Sequence, residues 1–497
     1  RQSAPPTLSI NDVAQNEGNA GTTNFTFTVA LSAPAGTGGV GFAIATANGT
    51  ALSSSDYVAQ TLTGQTIPAG SSTYQFSVQV NGDAVSESSE NFLVNVSSVT
   101  GATVADGQGV GTIQNDDTVG VTVVQSGGTT AVAEGGATDS FTVVLSSQPT
   151  APVLVALART EVNTTPTPLT FTTADWNVAQ TVTVSAIDDA IIEGNHSGTV
   201  NLVVSSPDTS YHSLFLPTIN VAITDNDVAG FTITPTGGLT TTEAGGTASF
   251  TVRLNAQPSA PVSLGLSSSD TTEGTVSPSS LTFTTADWNT TQTVTVTGVD
   301  DAIVDGTVAY SIITAPATSS DTNYNGVNPS NVAVSNTDND TVGITVTPTN
   351  GLVTTEAGGT ASFTVRLNSQ PTANVTIGLS SSDTSEGTLV LNSLTFSTGN
   401  WNTAQPVTVT GVDDAIVDGT VAYSIVTAPA TSSDTNYNGI NPSDVSVSNT
   451  DNDTVGITVT PTSGLTTTEA GGTDTFTVRL NSQPTANVTI GLSSSDT

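Results

Sequence analysis

The sequence predicts an all-β chain of tandem antiparallel β-sandwiches arranged as an extended rod. Short runs such as residues 250–254 and 293–297 alternate apolar and polar residues, which is typical of half-buried strands. Gly, Pro, Asn and Asp separate these runs and favour turns. Acidic motifs recur at an interval near 113 residues, which is the size of a whole domain. About seven short strands per repeat is the pattern of a sandwich.

The acidic repeats define the domain organisation. A Glu-(Ala/Gly)-Gly motif begins at Glu134, Glu243, Glu356 and Glu469, in steps of 109, 113 and 113 residues, and Glu17 extends the series backwards by 117. An acidic triplet closes each repeat. We therefore predict four complete domains over residues 1–117, 118–227, 228–340 and 341–453, and the N-terminal part of a fifth over 454–497. For the fifth, we expect either further chain or another subunit to supply the missing strands.

In the first domain, seven strands are predicted in order. Strands A to G are expected near residues 8–13, 25–31, 40–46, 57–62, 74–80, 92–96 and 109–114. If consecutive strands alternate in direction, the A–B, C–D and E–F loops and the exit of strand G lie at one end of the sandwich.

The composition excludes several classes of function. The chain has 42 acidic and 5 basic residues and a formal net charge of −37, although only 9% of its residues are charged. So few bases argue against binding of nucleic acid or of an anionic membrane surface. No apolar stretch of about 18 residues is present, which predicts no membrane insertion of this segment. No nucleophile–base pair or phosphate loop is apparent, so we do not expect an enzyme.

The predicted end of the first domain gathers carboxylates. The four loops there carry Glu17, Asp56, Asp83, Glu87, Glu90, Asp116 and Asp117. Such acids repel one another and raise their pKa values unless a cation lies between them. Calcium accepts about six to eight hard oxygen ligands, whereas zinc or copper favours Cys or His. The chain has no cysteine and 2 histidines, His196 and His212, which we do not expect to bind metal. We predict Ca²⁺ as the structural cofactor.

These residues resemble a known family, the Calx-beta domain. The resemblance rests on Glu17, on residues 55–57 (Ser-Asp-Tyr), on residues 67–70 (Ile-Pro-Ala-Gly), on the acidic run 81–92 and on the closing residues 113–117. It implies an Ig-like sandwich, and it implies that the seven carboxylates of the first domain are calcium ligands.

The second to fourth domains resemble a divergent bacterial branch of the same family. Where the first domain has Glu90, they have His196, Val308 and Val421, so we expect fewer ions there. The C–D position is Asp270 or Glu273 in the third domain and Asp383 or Glu386 in the fourth, and only Glu161 is near it in the second. The predicted ligands are Glu134, Asp188, Asp189, Glu193, Asp225 and Asp227; Glu243, Asp270, Asp300, Asp301, Asp305, Asp338 and Asp340; and Glu356, Asp383, Asp413, Asp414, Asp418, Asp451 and Asp453.

The function we expect is structural. An exported bacterial protein of tandem calcium-binding sandwiches would act as a stiff stalk or filament at the cell surface or in the extracellular matrix. Its partners would be calcium ions and either like subunits in a filament or a surface or carbohydrate receptor. The alternative prediction is a calcium sensor, in which ions switch the hinges between domains.

Overall fold

The computed structural model describes residues 4–496. The chain divides into two compact units between Val228 and Ala229. Within residues 4–496 the regular structure is β-sheet apart from one 3₁₀ turn at Ser126–Gly128. In the same residues, no helix has the length and apolar character needed to cross a membrane. The all-β prediction is confirmed.

The first domain is a sandwich of two sheets. Its strands are β1 (Thr7–Ile10), β2 (Val13–Asn16), β3 (Gly21–Leu31), β4 (Val40–Asn48), β5 (Thr61–Ile67), β6 (Thr73–Gly82), β7 (Glu90–Thr100), β8 (Thr103–Asp106) and β9 (Gln108–Gln114). One sheet has the order β6-β3-β1-β8 and the other has the order β2-β9-β7-β4-β5.

Three details of the first domain differ from the sequence prediction. Strand A is split into β1 and β2, which lie in different sheets, and β2 pairs parallel with β9. Strand D begins at Thr61, because Tyr57 makes only an isolated bridge to Val80 and is buried in the core. An extra strand, β8, pairs parallel with β1. The sandwich is therefore antiparallel with parallel pairs at two places, and its strand order is not a simple meander.

The second domain repeats the five-stranded sheet of this plan and differs at the edges of the four-stranded sheet. Its strands are β10 (Val121–Gln125), β11 (Thr130–Ala133), β12 (Asp139–Leu145), β13 (Val153–Thr160), β14 (Val162–Thr165), β15 (Leu169–Phe171), β16 (Gln180–Ala186), β17 (His196–Ser205) and β18 (Ile219–Thr224). They form sheets of order β10-β12-β16-β14 and β11-β18-β17-β13-β15.

The third and fourth domains have matching elements. The third has β19 (Phe231–Thr234), β20 (Leu239–Thr242), β21 (Thr247–Leu254), β22 (Val262–Ser268), β23 (Gly274–Ser277), β24 (Ser280–Phe283), β25 (Gln292–Gly298), β26 (Thr307–Thr314), β27 (Thr318–Ser319) and β28 (Val332–Thr337). The fourth has β29 (Ile344–Thr347), β30 (Leu352–Thr355), β31 (Thr360–Leu367), β32 (Val375–Ser381), β33 (Gly387–Leu389), β34 (Ser393–Phe396), β35 (Gln405–Gly411), β36 (Val421–Thr427), β37 (Thr431–Ser432) and β38 (Val445–Thr450). The third domain forms sheets β19-β21-β25-β23 and β20-β28-β26-β22-β24, and the fourth follows the same order.

Each sandwich buries the inward positions of its alternating strands. In β21 the side chains of Phe250, Val252 and Leu254 are buried, and Thr251 and Arg253 between them are not. Burying one such side chain contributes about 1.5–3 kcal/mol. Period-two alternation therefore determines which face of each strand points inward.

The fifth repeat contributes a two-stranded antiparallel sheet of β39 (Ile457–Thr460) and β40 (Thr477–Leu480). The side chain of Phe476 is exposed here, whereas the corresponding Phe250 and Phe363 are buried in the third and fourth domains. This pair has the register of β29 and β31 in the fourth domain, and within residues 454–496 no second sheet covers it.

Candidate metal centres

The strand directions bring four loops together at one end of each complete domain. In the first domain these are the loop after β2, the β4–β5 loop, the β6–β7 loop and the segment after β9. Ligand oxygens of Glu17, Asp116 and Asp117 lie within 4.8 Å of one another. Gly18 donates its backbone N–H to Asp116 Oδ1 at 3.2 Å, and the Asn19 side chain donates to Asp117 Oδ1 at 2.6 Å. We call this end of each domain its acidic pole.

The remaining predicted acids of the first domain face the same cluster. Burial, followed by the charges of Asp83 and Glu87 and then of the closing pair, raises the pKa of Glu17 to about 7. Burial and a hydrogen bond with Asp56 also raise the pKa of Glu90 to about 7, with Glu87 adding to the effect. The structure therefore brings all seven predicted carboxylates of the first domain into one electrostatic group.

The acidic pole of the second domain is built on Glu134. Its ligand oxygen lies within 4.8 Å of those of Asp225 and Asp227. Asp225 Oδ2 accepts the backbone N–H groups of Glu193 at 2.9 Å and Gly194 at 2.6 Å. Burial raises the pKa of Glu134, and the charge of Asp225 adds to this shift.

The acidic poles of the third and fourth domains are copies of each other. Ligand oxygens of Glu243, Asp338 and Asp340 lie within 4.8 Å of one another. Burial raises the pKa of Glu243 to about 7, and the nearby charge of Asp338 acts in the same direction. In the fourth domain burial likewise raises the pKa of Glu356, with Asp451 contributing.

In the second to fourth domains, the two adjacent aspartates of the E–F loop play different roles. The first accepts a hydrogen bond from the side-chain amide of the middle Asn of the closing triplet, in the pairs Asn226–Asp188 (3.1 Å), Asn339–Asp300 (3.1 Å) and Asn452–Asp413 (3.0 Å). The second accepts a backbone N–H two residues further on at 2.7 Å in Asp189, Asp301 and Asp414, and Asp83 of the first domain does the same. One carboxylate thus ties the loop to the triplet, and the other shapes the loop itself.

At the C–D position the structure favours the second of the two acids that the sequence offers. Ligand oxygens of Glu273, Asp301 and Asp305 lie within 4.8 Å of one another, and Glu273 is buried. Asp270 instead accepts hydrogen bonds from the side chain and backbone of Thr272, which lower its pKa.

The fourth domain repeats this arrangement. Glu386 is buried, and its pKa is raised by burial and then by neighbouring carboxylates that include Asp418. Asp383 accepts from the side chain and backbone of Ser385, which lower its pKa. Asp270 and Asp383, which were predicted as ligands, therefore accept hydrogen bonds within turns, and the alternatives Glu273 and Glu386 face the clusters.

A buried polar chain holds Glu273 in position. The Asn336 side chain donates to Glu273 Oε2 at 3.3 Å and to the Val299 carbonyl at 3.2 Å. Thr241 Oγ1 donates to Asn336 Oδ1 at 2.9 Å and lies 3.2 Å from the hydroxyl of Tyr310. Because each buried polar group has a partner, the chain can orient the carboxylate without an unpaired atom of its own.

Glycine allows the loops to approach closely. A Cβ at Gly298, the last residue of β25, would lie 2.2 Å from the carbonyl oxygen of Thr242 and 2.6 Å from Asn336 Oδ1. Gly411 makes the same approach to Thr355 in the fourth domain. Any larger residue would push the E–F loop away from Glu243 or Glu356.

The donor atoms fit a hard divalent cation. Among the described residues, each of the four complete domains has a buried carboxylate oxygen without a hydrogen-bond partner in the last residue of its closing triplet: Asp117, Asp227, Asp340 and Asp453. A buried, unpaired anionic oxygen is costly unless a cation compensates it. Calcium binds carboxylate and carbonyl oxygens in flexible geometry, so the oxygen-rich poles suit it.

Sequence reasoning missed two kinds of site residue. We did not expect His196 to bind metal, yet its Nε2 lies 3.3 Å from Glu193 Oε2. The middle Asn of the closing triplet also takes part, since Asn339 N–H donates to Glu243 Oε2 at 3.1 Å and Asn452 N–H donates to Glu356 Oε2 at 3.0 Å. The recurrence of Asn within the triplet could have identified it from the sequence. The alignment of His196 with Glu90 could have identified the histidine.

Within each compact unit, the acidic pole of one domain also contacts the next domain. In the first unit Val85 pairs with Gln148, whose backbone N–H donates to the Ala84 carbonyl at 2.7 Å. In the second unit Ile303 pairs with Gln370, and Ile416 pairs with Gln483. We call residues 83–85, 301–303 and 414–416 the joint segments, because each begins with a cluster aspartate and ends with the bridging residue.

Comparison with known proteins identifies one family. The model of the Calx-beta domain matches residues 11–117, 223–340 and 336–453. No curated protein matches the chain. A solved structure described as the calcium binding domain CBD12 of CALX1.1 is 16% identical over 44% of this chain and 99% of its own, with a TM-score of 0.29. CBD12 from CALX1.2 is 14% identical over 44% and 99%, with a TM-score of 0.27. Domains 1–6 of the surface layer protein SbsC are 14% identical over 97% and 63%, with a TM-score of 0.19.

Proposed function

The chain belongs to the Calx-beta domain family, and on that premise we propose that it is a calcium-binding structural protein whose metal-bound acidic poles stiffen the joints between successive domains. Calx-beta domains are calcium-binding domains, and this chain repeats the acidic pole in tandem. The proposal assigns the poles a mechanical role.

The joint segments carry this proposal. In the third domain, Asp301 Oδ1 accepts the backbone N–H of Ile303 at 2.7 Å, and the carbonyl between them, that of Ala302, accepts the N–H of Gln370 from the fourth domain at 2.6 Å. Asn436 of the fourth domain donates its side-chain amide to the Val304 carbonyl at 2.7 Å. A segment of four residues therefore connects a cluster carboxylate to two hydrogen bonds across the joint.

The carboxylates of the pole fall into two groups. Glu243, Asp338 and Asp340 would hold the ion in the third domain, with Glu273, Asp301 and Asp305 beside them. Bound Ca²⁺ supplies positive charge between carboxylates that otherwise repel one another. With that repulsion removed, the loop can keep the conformation in which Ala302 faces Gln370. Without bound Ca²⁺, the loop relaxes and the hydrogen bonds across the joint weaken.

The setting we propose is outside a bacterial cell, as a stalk or filament in surface attachment or matrix assembly. Long near-identical stretches support a role that depends on length, since residues 242–254 and 355–367 have the same sequence. The absence of cysteine leaves core packing and metal as the means of stabilising an exported chain. Like subunits or a surface carbohydrate are the partners we propose.

Small-angle X-ray scattering of the full chain, first with millimolar calcium and then with excess chelator, tests the proposal. With calcium we expect the maximum dimension of a stiff, extended chain. In chelator we expect the ensemble to be shorter and its distribution of interatomic distances to be broader. Coincident scattering curves would contradict the stiffening of the joints. A change that tracks calcium gradually through the range of intracellular signals would instead favour the sensor.

A further inference from the structure

The acidic pole of the second domain differs from the others because it contains an imidazole. His196 is the first residue of β17, and its Nε2 lies 3.3 Å from Glu193 Oε2. Ligand atoms of Glu134, Glu193 and His196 lie within 4.8 Å of one another. The corresponding position is Val308 in the third domain and Val421 in the fourth, so the nitrogen ligand is confined to this pole among the complete domains.

The imidazole is held in one orientation. Its Nδ1 lies 3.0 Å from the carbonyl oxygen of Gly194. A carbonyl oxygen only accepts, so Nδ1 carries the hydrogen in the neutral ring and the lone pair of Nε2 faces the carboxylates. A metal-binding histidine is held in the same way, by donating its second ring N–H to a carbonyl or carboxylate.

An independent observation concerns Glu134. This side chain is 4% exposed, and its Oε2 has no hydrogen-bond partner. In the third and fourth domains the corresponding Oε2 atoms of Glu243 and Glu356 accept backbone N–H groups at 3.1 and 3.0 Å. The second domain therefore leaves an anionic oxygen unpaired in the cluster that also holds the imidazole, and a cation is the partner it lacks.

We propose that Glu134, Glu193 and His196 form a binding site for a divalent transition metal of the Zn²⁺ class. Neutral imidazole suits zinc, copper and nickel, whereas calcium and magnesium take oxygen ligands. Two carboxylates and one neutral imidazole balance the charge of a divalent ion. The 3.3 Å between His196 Nε2 and Glu193 Oε2 matches the edge of a tetrahedron with metal–ligand bonds of about 2.0–2.1 Å.

The site adjoins the calcium cluster of the same pole. Glu134 also belongs to the group with Asp225 and Asp227, so the two clusters share one carboxylate. The inference deepens the proposed function and rests on it only in requiring that this pole binds a metal ion. The other three poles offer oxygen ligands and serve as internal references.

The test is a Zn²⁺ titration of the full chain in saturating calcium, monitored by calorimetry and by NMR of the imidazole protons. The chain has 2 histidines, so each ring gives its own signals. We expect one zinc equivalent per chain, with shifts in the His196 signals and none in those of His212. His196→Val should weaken zinc binding by more than about tenfold. The valine is the residue that the third and fourth domains already carry there, so folding should be preserved.

His212→Val is the matched control, because the ring of His212 contacts the Ser206 carbonyl through Nδ1 and lies outside the cluster. It should bind zinc as the unmodified chain does. Equal zinc affinity in His196→Val and the unmodified chain would overturn the inference, as would zinc that shifts neither ring. Calcium titration of the same variants separates the two proposals. If no pole binds calcium, the proposed function is contradicted, but zinc binding at His196 would still support the zinc site.

Discussion

The backbone N–H of Gln370 in the fourth domain donates to the carbonyl oxygen of Ala302 in the third at 2.6 Å, one residue after a cluster aspartate. The same relationship joins Gln483 to Ala415 at 2.5 Å and Gln148 to Ala84 at 2.7 Å. Because the hydrogen bond uses main-chain atoms, the identity of the glutamine side chain contributes little to it. What matters is that the acidic loop keeps its carbonyl in place, so the proposed metal binding would act on the geometry of the joint.

Gln370→Pro should loosen the joint between the third and fourth domains even in saturating calcium. Proline lacks the N–H that reaches Ala302, and the lost hydrogen bond is worth about 0.5–1.5 kcal/mol. The chain has no cysteine, so one introduced cysteine in each domain can carry spin labels without background labelling. Distances between the labels, measured by pulsed electron spin resonance, should broaden.

Gln370→Ala is the control for this variant, because it keeps the N–H and removes only the side-chain contact with the Thr398 carbonyl. Its distance distribution should match that of the unmodified glutamine. If the proline and alanine variants give the same narrow distribution, the hydrogen bond to Ala302 does not determine the stiffness of the joint.

Glu243→Gln should weaken calcium binding and stabilise the metal-free protein. The amide oxygen can still accept the N–H of Asn339, while the buried charge that faces Asp338 is removed. We expect a loss of affinity of about tenfold or more at one pole, or about 1.4 kcal/mol, and a higher unfolding midpoint in chelator. Calorimetric titration with calcium and urea unfolding without it measure the two effects.

Asp321→Asn provides the contrast. Asp321 is also buried, but it lies in the β27–β28 loop at the other end of the sandwich and accepts N–H groups from Ser259 at 2.7 Å and Asn323 at 2.9 Å. The amide has only one acceptor oxygen, so this variant should destabilise the protein by about 1–2 kcal/mol and leave calcium binding unchanged. If Glu243→Gln also destabilised the protein and left calcium binding unchanged, Glu243 would be a structural carboxylate and not a metal ligand.

The sequence predicts the acidic poles well because strand alternation determines where loops emerge. Glu17, Glu134, Glu243 and Glu356 each follow directly after the second half of strand A, and the closing triplets follow strand G. These two strand segments pair parallel in all four complete domains, so their ends meet. Alternation and the repeat period were sufficient for that inference.

Other features depend on contacts that no local pattern encodes. The split of strand A follows from its pairing with two sheets, and Tyr57 leaves strand D because its ring stacks on Phe92 with centroids 4.6 Å apart. His196 approaches Glu134 across 62 positions of sequence, which only the fold can bring together. Sequence spacing therefore predicted the pole and not its complete ligand set.

The metal-free protein should lose stability as the pH rises from about 4.5 to about 7. Glu17, Glu90 and Glu243 have pKa values raised from 4.5 to about 7 by burial and neighbouring carboxylates. Over this window the folded state binds more protons than the unfolded state, so the free energy of unfolding falls with pH. The stabilising protonation is fully present below pH 4.5 and is lost as pH passes through 7.

Urea unfolding in a calcium-free buffer between pH 4.5 and 8 measures this dependence. Saturating calcium should remove the decline, because the ion takes the place of the protons between the carboxylates. A midpoint that rises with pH in the metal-free protein would mean that the carboxylates are stabilised by hydrogen bonds more than they are destabilised by burial and repulsion.

Two variants, Glu273→Gln and Asp270→Asn, test which of two acids three positions apart binds the metal. Glu273 is buried against Asp301 and Asp305, so its amide variant should weaken calcium binding at the third domain by about tenfold or more. Asp270 is engaged by Thr272 through its side chain and backbone, so Asp270→Asn should leave calcium affinity unchanged. The amide oxygen of the glutamine can still accept the hydrogen bond from the Asn336 side chain, which keeps the buried chain paired in the first variant. Calorimetric titration of both variants at one pH decides the assignment, and a larger loss of affinity in Asp270→Asn would restore Asp270 as the ligand.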